Sequence, residues 1–387
     1  MIGTKDLAVS FGRNKIFQSI GLDIEPNGKY AVIGPNGSGK TTLALVLAGV
    51  IPEFTPADVK GEVQSAGCSL IMQNPSSQFF AMSVKEELGE KGVKLAKQFS
   101  ASHLLERNVF ELSEGEKQKI NLIANLSFKN SCLMVDEPVE LLDPVEAKRF
   151  CSAFSKVKDR TLIWFDKNED FVAGMKKTYL AKPKKQTLPA KKNNVCKETV
   201  LSADFSLERN GFSVKEISFE VCAGEKIGLI GLNGSGKTCV LKALAGIEKQ
   251  SGKLQANKNI SYAPQNPSHL FFQETAEAEL VDVGNARKLG IELLLQKNPA
   301  LLSKGQQKML SVATIAPNTV ALLDEPTTWL DSANKASVYN FINNSEQAMI
   351  LATHDRKLLD YCDRILIIKD KGVTECSSTV ANRFFQA

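Results

Sequence analysis

Short, strongly apolar stretches recur along the chain and alternate with segments of helix-forming residues. The stretches at residues 29–34 and 226–231 each end in a glycine-rich loop. Helix-forming Leu and Ala residues follow these loops as far as Ala48 and Ala245. This order predicts a strand, a loop and a helix in each region.

Uninterrupted apolar runs predict further strands. The runs at residues 132–135 and 320–323 are typical of strands buried on both faces, as in a parallel sheet. Residues 162–165 and 349–352 supply the next strand in each region. The pattern therefore predicts α/β architecture with parallel sheets.

The chain repeats itself. GPNGSGKT at residues 34–41 returns as GLNGSGKT at residues 231–238. Four further strings recur in the same order, about 190 residues apart: QNPS at 73 and 265, LSEG and LSKG with serines at 113 and 303, DEP at 136 and 324, and LLD and WLD ending at 143 and 331. The repeat predicts two copies of one domain, at residues 1–181 and 198–387, which suits a length of 387 residues.

Residues 182–197 between the two copies contain two prolines and six lysines. Proline interrupts helices and strands, and like charges repel, so this stretch is expected to be a solvated linker. A polybasic contact with RNA or with anionic lipid is the alternative interpretation.

The composition is that of a globular protein, with 43% hydrophobic and 24% charged residues. No apolar run approaches the roughly 20 residues of a membrane-spanning helix, and the first residues lack the pattern of a secretory signal, so we expect a cytosolic protein. The eight cysteines have no C-x-x-C spacing, which predicts reduced, mostly buried thiols without a zinc site or disulfides. A net charge of +5 does not by itself indicate nucleic acid or a membrane as partner.

Both glycine loops fit the pattern G-x-x-x-x-G-K-[ST]. In such a loop, glycines allow backbone N–H groups to converge on phosphate oxygens at the N-terminus of a helix. Lys40 and Lys237 would neutralise the β- and γ-phosphates, and the hydroxyls of Thr41 and Thr238 would bind Mg²⁺. A glycine turn without function is the alternative, but two matches in register favour nucleotide binding.

An acidic pair ends the buried strand that follows in each copy, Asp136-Glu137 in the first and Asp324-Glu325 in the second. The aspartate can hold Mg²⁺ through water, and the glutamate can polarise an attacking water molecule. An acidic pair at a strand end is by itself usually a turn, so this assignment depends on the phosphate loop before it.

In their order, these motifs resemble the nucleotide-binding domains of the ATP-binding cassette (ABC) family, and the resemblance covers nearly the whole chain. It implies tandem P-loop NTPase domains, each with a mainly parallel sheet, a small antiparallel β part and a short helical subdomain. It also implies two ATP molecules, with Mg²⁺, sandwiched head to tail between the halves. Each ATP would contact the P-loop of one half and the LS-x-G signature of the other, where residues 113–115 and 303–305 would begin helices. An ordinary capping box is the alternative reading of LS-x-G.

The motifs and the resemblance together assign a set of residues. Those assigned to the nucleotide are Phe11, Gly34, Pro35, Asn36, Gly37, Ser38, Gly39, Lys40, Thr41, Thr42, Ser113 and Gly115 in the first half, and Gly231, Leu232, Asn233, Gly234, Ser235, Gly236, Lys237, Thr238, Cys239, Ser303 and Gly305 in the second. Those assigned to Mg²⁺ are Thr41, Gln73, Asp136, Thr238, Gln265 and Asp324. The candidate catalytic residues are Glu137, Glu325, His354, Gln73 and Gln265, where the glutamines match the family's Q-loop and His354 its switch histidine.

The strings that begin at the Q-loop glutamines, QNPSSQFF at 73–80 and QNPSHLFF at 265–272, are similar to those of energy-coupling-factor (ECF) importer ATPases, which take up vitamins and transition-metal ions. This resemblance implies an energy-coupling subunit that is peripheral on the inner face of the cell membrane. Its expected partners are transmembrane subunits, with a substrate-binding membrane subunit as a further candidate, and no nucleic acid. The aromatic pairs that end both strings are equally well explained as core residues.

The two halves differ at aligned positions of the candidate sites. Lys167 stands where the second half has His354, and Cys239 stands where the first half has the hydroxyl of Thr42. Because only the second site keeps both the glutamate and the histidine, we expect it to hydrolyse ATP fastest.

The adenine contact differs as well. Phe11 is expected to stack on adenine in the first half, but Glu208 occupies the corresponding position in the second. A stack in the second half would therefore need Phe205 or Phe212.

A soluble tandem ATPase that acts on ribosomes or nucleic acid is the main alternative function. Members of that kind carry a long charged helical linker or an N-terminal cysteine cluster, and this sequence shows neither feature. A regulatory nucleotide binder that has lost hydrolysis is disfavoured, because Glu137 and Glu325 are both present.

Overall fold

The computed structural model describes residues 2–12, 14–65, 67–73, 75, 78–128, 130–167, 169, 171–181, 190–191, 198–209, 212–377, 379–381 and 384. The chain divides into two compact units, Met1–Lys184 and Lys185–Ala387. The division falls inside the predicted linker, of which only residues 190–191 are described. The predicted solvation of the rest of the linker thus lies outside the described residues, and the exact domain borders stay a prediction.

The first unit is built from alternating strands and helices. They are β1 (Ile2–Phe11), β2 (Asn14–Ile24), β3 (Lys29–Ile33), α1 (Lys40–Leu47), β4 (Asp58–Gln64), β5 (Cys68–Ile71), α2 (Val84–Gln98), α3 (Glu114–Ser127), β6 (Cys132–Asp136), α4 (Pro144–Ser155), β7 (Thr161–Asp166) and β8 (Lys176–Tyr179).

The second unit repeats this order. Its elements are β9 (Thr199–Arg209), β10 (Phe212–Cys222), β11 (Lys226–Ile230), α5 (Lys237–Leu244), β12 (Ser251–Ala256), β13 (Ile260–Ala263), α6 (Val283–Leu289), α7 (Lys304–Ala313), β14 (Val320–Asp324), α8 (Ser332–Asn344), β15 (Met349–Ala352), α9 (Arg356–Leu359), β16 (Arg364–Lys369) and β17 (Gly372–Cys376).

A parallel sheet forms the centre of each unit. The strand order is β5-β6-β7-β3-β8 in the first unit. The equivalent strands of the second unit follow the order β13-β14-β15-β11-β16, with β17 added antiparallel to β16. A separate antiparallel sheet, β2-β1-β4 or β10-β9-β12, accompanies each of them. The predicted α/β class, with a parallel core and a small antiparallel part, is confirmed.

Successive residues of a central strand face two different hydrophobic cores. Leu133 and Val135 of β6 belong to one core cluster, whereas Cys132 and Met134 belong to another. Side chains alternate across a strand, and both faces of this sheet are covered, so the first four positions of β6 are apolar and only its last residue, Asp136, is charged. Strand β14 repeats the arrangement in the second unit.

The region between the Q-loop glutamine and the signature differs between the units. In the first, α2 begins with a capping box at Ser83 and spans 15 residues, with Gly89 in a non-helical conformation. In the second, α6 has only 7 residues and short 3-10 turns flank it. Both units therefore have a small helical subdomain, but its helices differ. Among the described residues, no helix is long and apolar enough to cross a bilayer.

The cysteines correct the expectation of reduced, mostly buried thiols. Cys222 is disulfide-bonded. Of the free cysteines, Cys132 and Cys362 are buried, and the others are half-buried: Cys68, Cys151, Cys239 and Cys376. The expectation of reduced thiols holds for these six cysteines and was wrong for Cys222, because a disulfide needs two cysteines that are close in space, and their spacing along the chain does not report that distance.

The described part of the predicted linker packs against the second unit. Lys191 Nζ donates a hydrogen bond of 2.7 Å to the carbonyl of Cys362 and lies 3.8 Å from a carboxylate oxygen of Asp363. The carbonyl of Ala190 accepts a hydrogen bond of 2.8 Å from Asn343. This short piece is therefore exposed to solvent, as predicted, but it is also anchored to the second unit by these bonds.

Phe150 of α4 is fully buried, and its ring stacks on Phe99 with 4.2 Å between centroids. We expect Phe150→Ala to lower the unfolding free energy of the first unit by about 3–5 kcal/mol, because the lost ring leaves a cavity. Urea unfolding followed by hydrogen exchange of first-unit peptides would measure it. The matched control Phe110→Ala removes a ring that is 59% exposed and should cost no more than about 0.5 kcal/mol. Equal losses for the two variants would contradict the prediction.

Candidate functional site

The two glycine loops share one backbone conformation. Gly37 and Gly39 have φ angles of 76° and 92°. Their counterparts Gly234 and Gly236 have φ angles of 77° and 105°. Residues with side chains avoid these values, so the glycines permit a loop that a substituted chain would strain. The loops join β3 to α1 and β11 to α5, at the carboxyl end of each parallel sheet.

The serine inside each loop has a buried hydroxyl. A Cβ atom on Gly34 would lie 2.4 Å from Ser38 Oγ, so the loop closes tightly around this serine. Neither Ser38 Oγ nor Ser235 Oγ has a hydrogen-bond partner among the described residues. A buried hydroxyl without a partner is unfavourable, and a phosphate oxygen would satisfy it. The loops therefore fit the phosphates of a nucleotide.

The lysine that begins each helix turns back over its loop. Lys40 Nζ donates to the carbonyl of Gly34 at 2.8 Å, and Lys237 Nζ donates to the carbonyl of Gly231 at 2.9 Å. Both lysines are buried. Each holds a positive charge over a loop whose shape suits anionic phosphates.

A threonine hydroxyl and an aspartate meet beside each lysine. Thr41 Oγ1 donates to Asp136 Oδ2 at 2.6 Å, and Thr238 Oγ1 donates to Asp324 Oδ2 at 2.7 Å. Asp136 Oδ1 is buried without a hydrogen-bond partner among the described residues. Burial raises the pKa of Asp136 to about 7 and also raises the pKa of Asp324. A divalent cation bound by these oxygens would give Asp136 Oδ1 a partner and would stabilise the charged form of both aspartates. The two pairs therefore fit Mg²⁺.

Glu137 is surrounded by positive charge. Its Oε1 lies 3.3 Å from Lys40 Nζ, and its Oε2 lies 3.5 Å from Lys167 Nζ. Gln73 Nε2 donates to the same Oε2 at 2.9 Å. Burial favours the neutral acid, but the charges of Lys167 and Lys40 outweigh it and lower the pKa of Glu137. Glu137 is therefore an ion-paired carboxylate.

Glu325 has the same left-handed backbone as Glu137, with φ angles of 49° and 46°. Its Oε2 accepts a hydrogen bond of 3.1 Å from the backbone N–H of His354, whose Nε2 lies 2.9 Å from Lys237 Nζ. Burial raises the pKa of Glu325 to about 7 and lowers the pKa of His354 well below its usual value. This carboxyl group can exchange a proton near neutral pH beside a neutral imidazole.

The signature serines begin helices in both units. Ser113 is the N-cap of α3 and Ser303 the N-cap of α7, each within a capping box. In the first unit Glu116 closes the box, because its Oε2 accepts a hydrogen bond of 2.8 Å from the backbone N–H of Ser113. The same oxygen also accepts from the Ser113 hydroxyl at 2.9 Å. In the second, the side chain of Gln306 closes it. Both readings of LS-x-G thus share one geometry: a capped helix N-terminus with a serine hydroxyl at its end.

A family model described as "ABC transporter" matches residues 17–140 and 214–328, together more than half of the chain. The chain belongs to the ABC transporter family. Each match contains one phosphate loop and one acidic pair. The protein is therefore a tandem ABC ATPase, which binds and hydrolyses ATP.

Relatives of this ABC ATPase match both of its domains. A Bacillus subtilis protein, provisionally named as the HMP/thiamine import ATP-binding protein YkoD, is 26% identical over 497 aligned residues, which cover 96% of this chain and 90% of that one. A Treponema denticola protein, provisionally named as an ABC transporter ATP-binding protein, is 26% identical over 474 aligned residues, which cover 97% and 96% of the two chains.

Solved structures share the fold. The RNase-L inhibitor matches with a TM-score of 0.72 and 19% identity, over 99% of this chain and 92% of that chain. The archaeal ribosome recycling factor aABCE1, solved with the ribosomal stalk protein aP1, matches with a TM-score of 0.72 and 20% identity, over 98% and 92%. At this identity the likeness shows a tandem P-loop fold alone.

Several residues with predicted roles in nucleotide binding or catalysis pack against the core or make contacts through their backbone, so the structure does not test those roles. Phe11 is half-buried and packs against the core beside the antiparallel sheet of the first domain. Phe205, one of two candidates to stack on adenine in the second domain, is 4% exposed and belongs to the core, so it is not available for stacking. Gln265 contributes its backbone carbonyl to a hydrogen bond from Lys308.

Lys308 of α7, which is 1% exposed, is a site residue that the sequence motifs did not predict. Its Nζ donates to the carbonyls of Gln265 and Asp324 at 2.7 and 3.2 Å, which ties the Q-loop to the acidic pair. Burial lowers its pKa to about 8. The available signal was the alignment of the two halves, which places Gln118 at the corresponding position of the first domain.

Glu140 is a second residue of the site that the sequence motifs did not predict. Its Oε1 lies 2.8 Å from Lys167 Nζ, and the lysine side chain is only 1% exposed. A glutamate three residues after Glu137 reads as part of a loop, and nothing in its spacing predicts a partner at position 167.

Glu137→Gln should destabilise the first domain by about 3–5 kcal/mol, because Lys40 and Lys167 would each lose a buried charge partner. Glu325→Gln should change the stability of the second domain by no more than about 1 kcal/mol, since burial already raises the pKa of that carboxyl group to about 7. Urea unfolding with peptide-resolved hydrogen exchange would compare the two variants. Equal losses of unfolding free energy in the two variants would contradict the prediction that the ion pairs of Glu137 stabilise the first domain.

Proposed function

We propose that this ABC ATPase is the energy-coupling subunit of a membrane transporter, an ECF-type importer of a vitamin or a metal ion. It would lie on the inner face of the cell membrane, bound to transmembrane subunits, with a substrate-binding membrane subunit as a further candidate partner and no nucleic acid. The observation that carries the proposal is an exposed aromatic side chain close to the Q-loop glutamine in the sequence of each domain.

Phe80 and Phe272 end the two equivalent strings that begin with the Q-loop glutamines. Their side chains are 97% and 85% exposed. The preceding aromatic residues, Phe79 and Phe271, pack against the cores of their domains. The interpretation of these aromatic pairs as core residues therefore holds only for the first ring of each pair. An exposed phenyl ring at the same place in both domains supports a surface that a partner covers.

A glutamate holds each of these exposed loops. Glu87 Oε2 accepts hydrogen bonds from the backbone N–H groups of Phe80 and the next residue, both at 2.9 Å. Glu279 Oε1 accepts the equivalent bonds from Phe272 and its neighbour, at 2.5 and 2.6 Å. A loop that is already ordered loses little entropy on binding, which suits docking. The same device in both domains supports a contact with two similar membrane segments.

The relatives support transport over action on ribosomes. Both reported relatives carry names of transporter ATP-binding proteins, and one of those names refers to HMP/thiamine import. The likeness to the ribosome recycling factor has 20% identity and supports the fold alone. The QNPS strings and the importer name together favour the ECF subtype.

We further propose that the two ATP sites are composite, through head-to-tail pairing of the domains. The first site would comprise Lys40, Thr41, Asp136, Glu137 and Lys167 with Ser303 and Gly305, and the second Lys237, Thr238, Asp324, Glu325 and His354 with Ser113 and Gly115. Mg²⁺ would supply positive charge to the phosphates during hydrolysis.

Hydrolysis at the second site would use groups that lie close together. The raised pKa of Glu325, about 7, makes its carboxylate a suitable base for the proton of water. The backbone N–H of His354 holds one carboxylate oxygen at 3.1 Å and so fixes the orientation of the base. The imidazole beside Lys237 would orient the water from the phosphate side. Closure and opening of the two halves would then move the transmembrane partner.

Glu325→Gln should reduce steady-state ATP turnover by about 100-fold or more, because the remaining carboxamide is not a base. Glu137→Gln should reduce turnover far less, since an ion-paired carboxylate contributes little as a base. Phosphate release by the purified chain, assayed below the unfolding temperature of each variant, measures both effects. A larger loss from the Glu137 substitution would reverse the assignment of the faster site.

Affinity purification of the tagged chain from detergent-solubilised membranes, followed by mass spectrometry, should recover one or two polytopic membrane proteins. The double variant Phe80→Ser and Phe272→Ser should lose them, because it removes both exposed rings. Phe54→Ser, which removes a ring that is 76% exposed elsewhere in the first domain, is the control and should keep them. Recovery of ribosomal proteins with none from the membrane would overturn the transport proposal, and loss with all three substitutions would overturn the docking role of these rings.

A further inference from the structure

A buried lysine in the first domain joins two glutamates next to the candidate base. Lys167 Nζ lies 2.8 Å from Glu140 Oε1 and 3.5 Å from Glu137 Oε2. The lysine side chain is 1% exposed, and those of the glutamates are 16% and 6% exposed. Separating the lysine from either glutamate would leave a buried charge poorly compensated. The three side chains therefore form one ionic cluster.

The second domain has neither of the two added charges. Its counterpart of Lys167 is His354, and its counterpart of Glu140, four residues after the aspartate of DEP, is Thr328. The lysine and its glutamate thus occur together in one copy, and a histidine and a threonine stand together in the other. Charge balance explains this pairing, because either charged residue alone would be costly to bury.

Positive charge or a hydrogen-bond donor lies against both carboxylate oxygens of Glu137. Its Oε1 lies 3.3 Å from Lys40 Nζ, while its Oε2 faces Lys167 and accepts the hydrogen bond from Gln73. By contrast, Glu325 Oε1 is buried without a hydrogen-bond partner among the described residues, and its neighbour is the imidazole Nε2 of His354 at 3.7 Å rather than a lysine. A general base needs an oxygen that can accept the proton of water, and the second domain offers one.

We propose that Lys167 and Glu140 are positioning residues that hold Glu137 in its ion pair and make the first site a retaining site, which keeps one ATP unhydrolysed while the second site turns over. This inference rests on the two composite ATP sites of the proposed function and specifies how they divide ATP hydrolysis. Glu140, the closer partner, anchors the lysine. The lysine in turn withholds the Glu137 carboxylate from water.

The test counts unhydrolysed ATP that stays with the full-length chain after incubation with γ-labelled ATP and Mg²⁺ and rapid gel filtration. The wild-type chain should retain about one ATP. Lys167→His with Glu140→Thr, which installs the residues of the second domain, should lower the retained ATP to near zero. In a Glu325→Gln background, the same pair of substitutions should raise turnover about tenfold or more, because it frees a general base.

The matched control removes a different buried ion pair of the same domain. Lys119 and Glu146 form such a pair, with side chains 9% and 16% exposed. Lys119→His with Glu146→Thr should cost stability but leave both retained ATP and turnover unchanged. A merely structural role of Lys167 would make the two double variants behave alike, which would overturn the proposal.

The reciprocal graft keeps the proposal testable if the first variant does not fold. Thr328→Glu with His354→Lys should raise retained ATP from about one to about two per chain while turnover falls. Unchanged retention in the graft, or a wild-type chain that hydrolyses ATP but retains none, would overturn this inference alone. A wild-type chain without any ATP turnover would overturn the proposed function as well, so the two failures are distinguishable.

Discussion

Charged side chains buried at the carboxyl edge of each parallel sheet have to compensate one another, because a charge that leaves water without a partner costs several kcal/mol. Strands β3, β6 and β7 all end at this edge in the first domain, and β11, β14 and β15 do so in the second. The topology therefore brings a phosphate-loop lysine, an acidic pair and a switch residue together whatever their distance along the chain. The glycine loops, the helix N-termini and the left-handed glutamates are arranged around that cluster.

The two domains satisfy this constraint in different ways. The first balances charge with charge: Lys40 and Lys167 face Glu137, and Glu140 completes the balance. The second instead shifts protonation, since burial raises the pKa of Glu325 to about 7. Two sites on one fold can thus differ in reactivity, because function depends on the site and not on the fold.

The surfaces of the two domains share one exposed aromatic side chain but differ in the helices that lie beside it in the sequence. In both copies a glutamate side chain accepts a hydrogen bond from the backbone N–H of the residue with the exposed ring, Phe80 or Phe272. The helices beside them differ, with 15 residues in α2 and 7 in α6. The proposed membrane partner would therefore meet the same aromatic contact in two different surroundings.

The sequence by itself determined the architecture and the parts of the site that come as contiguous strings. The phosphate loops, the strands that end in Asp136 and Asp324, and the helices that begin after Ser113 and Ser303 were all predictable, because glycine geometry, apolar periodicity and helix capping act over a few residues. Only the tertiary structure decided the Glu140 to Lys167 pair, the position of Lys308, the disulfide at Cys222 and the split of each aromatic pair into a buried and an exposed ring. These features join residues that are distant in sequence or depend on what covers a loop, and local propensity carries no information about either.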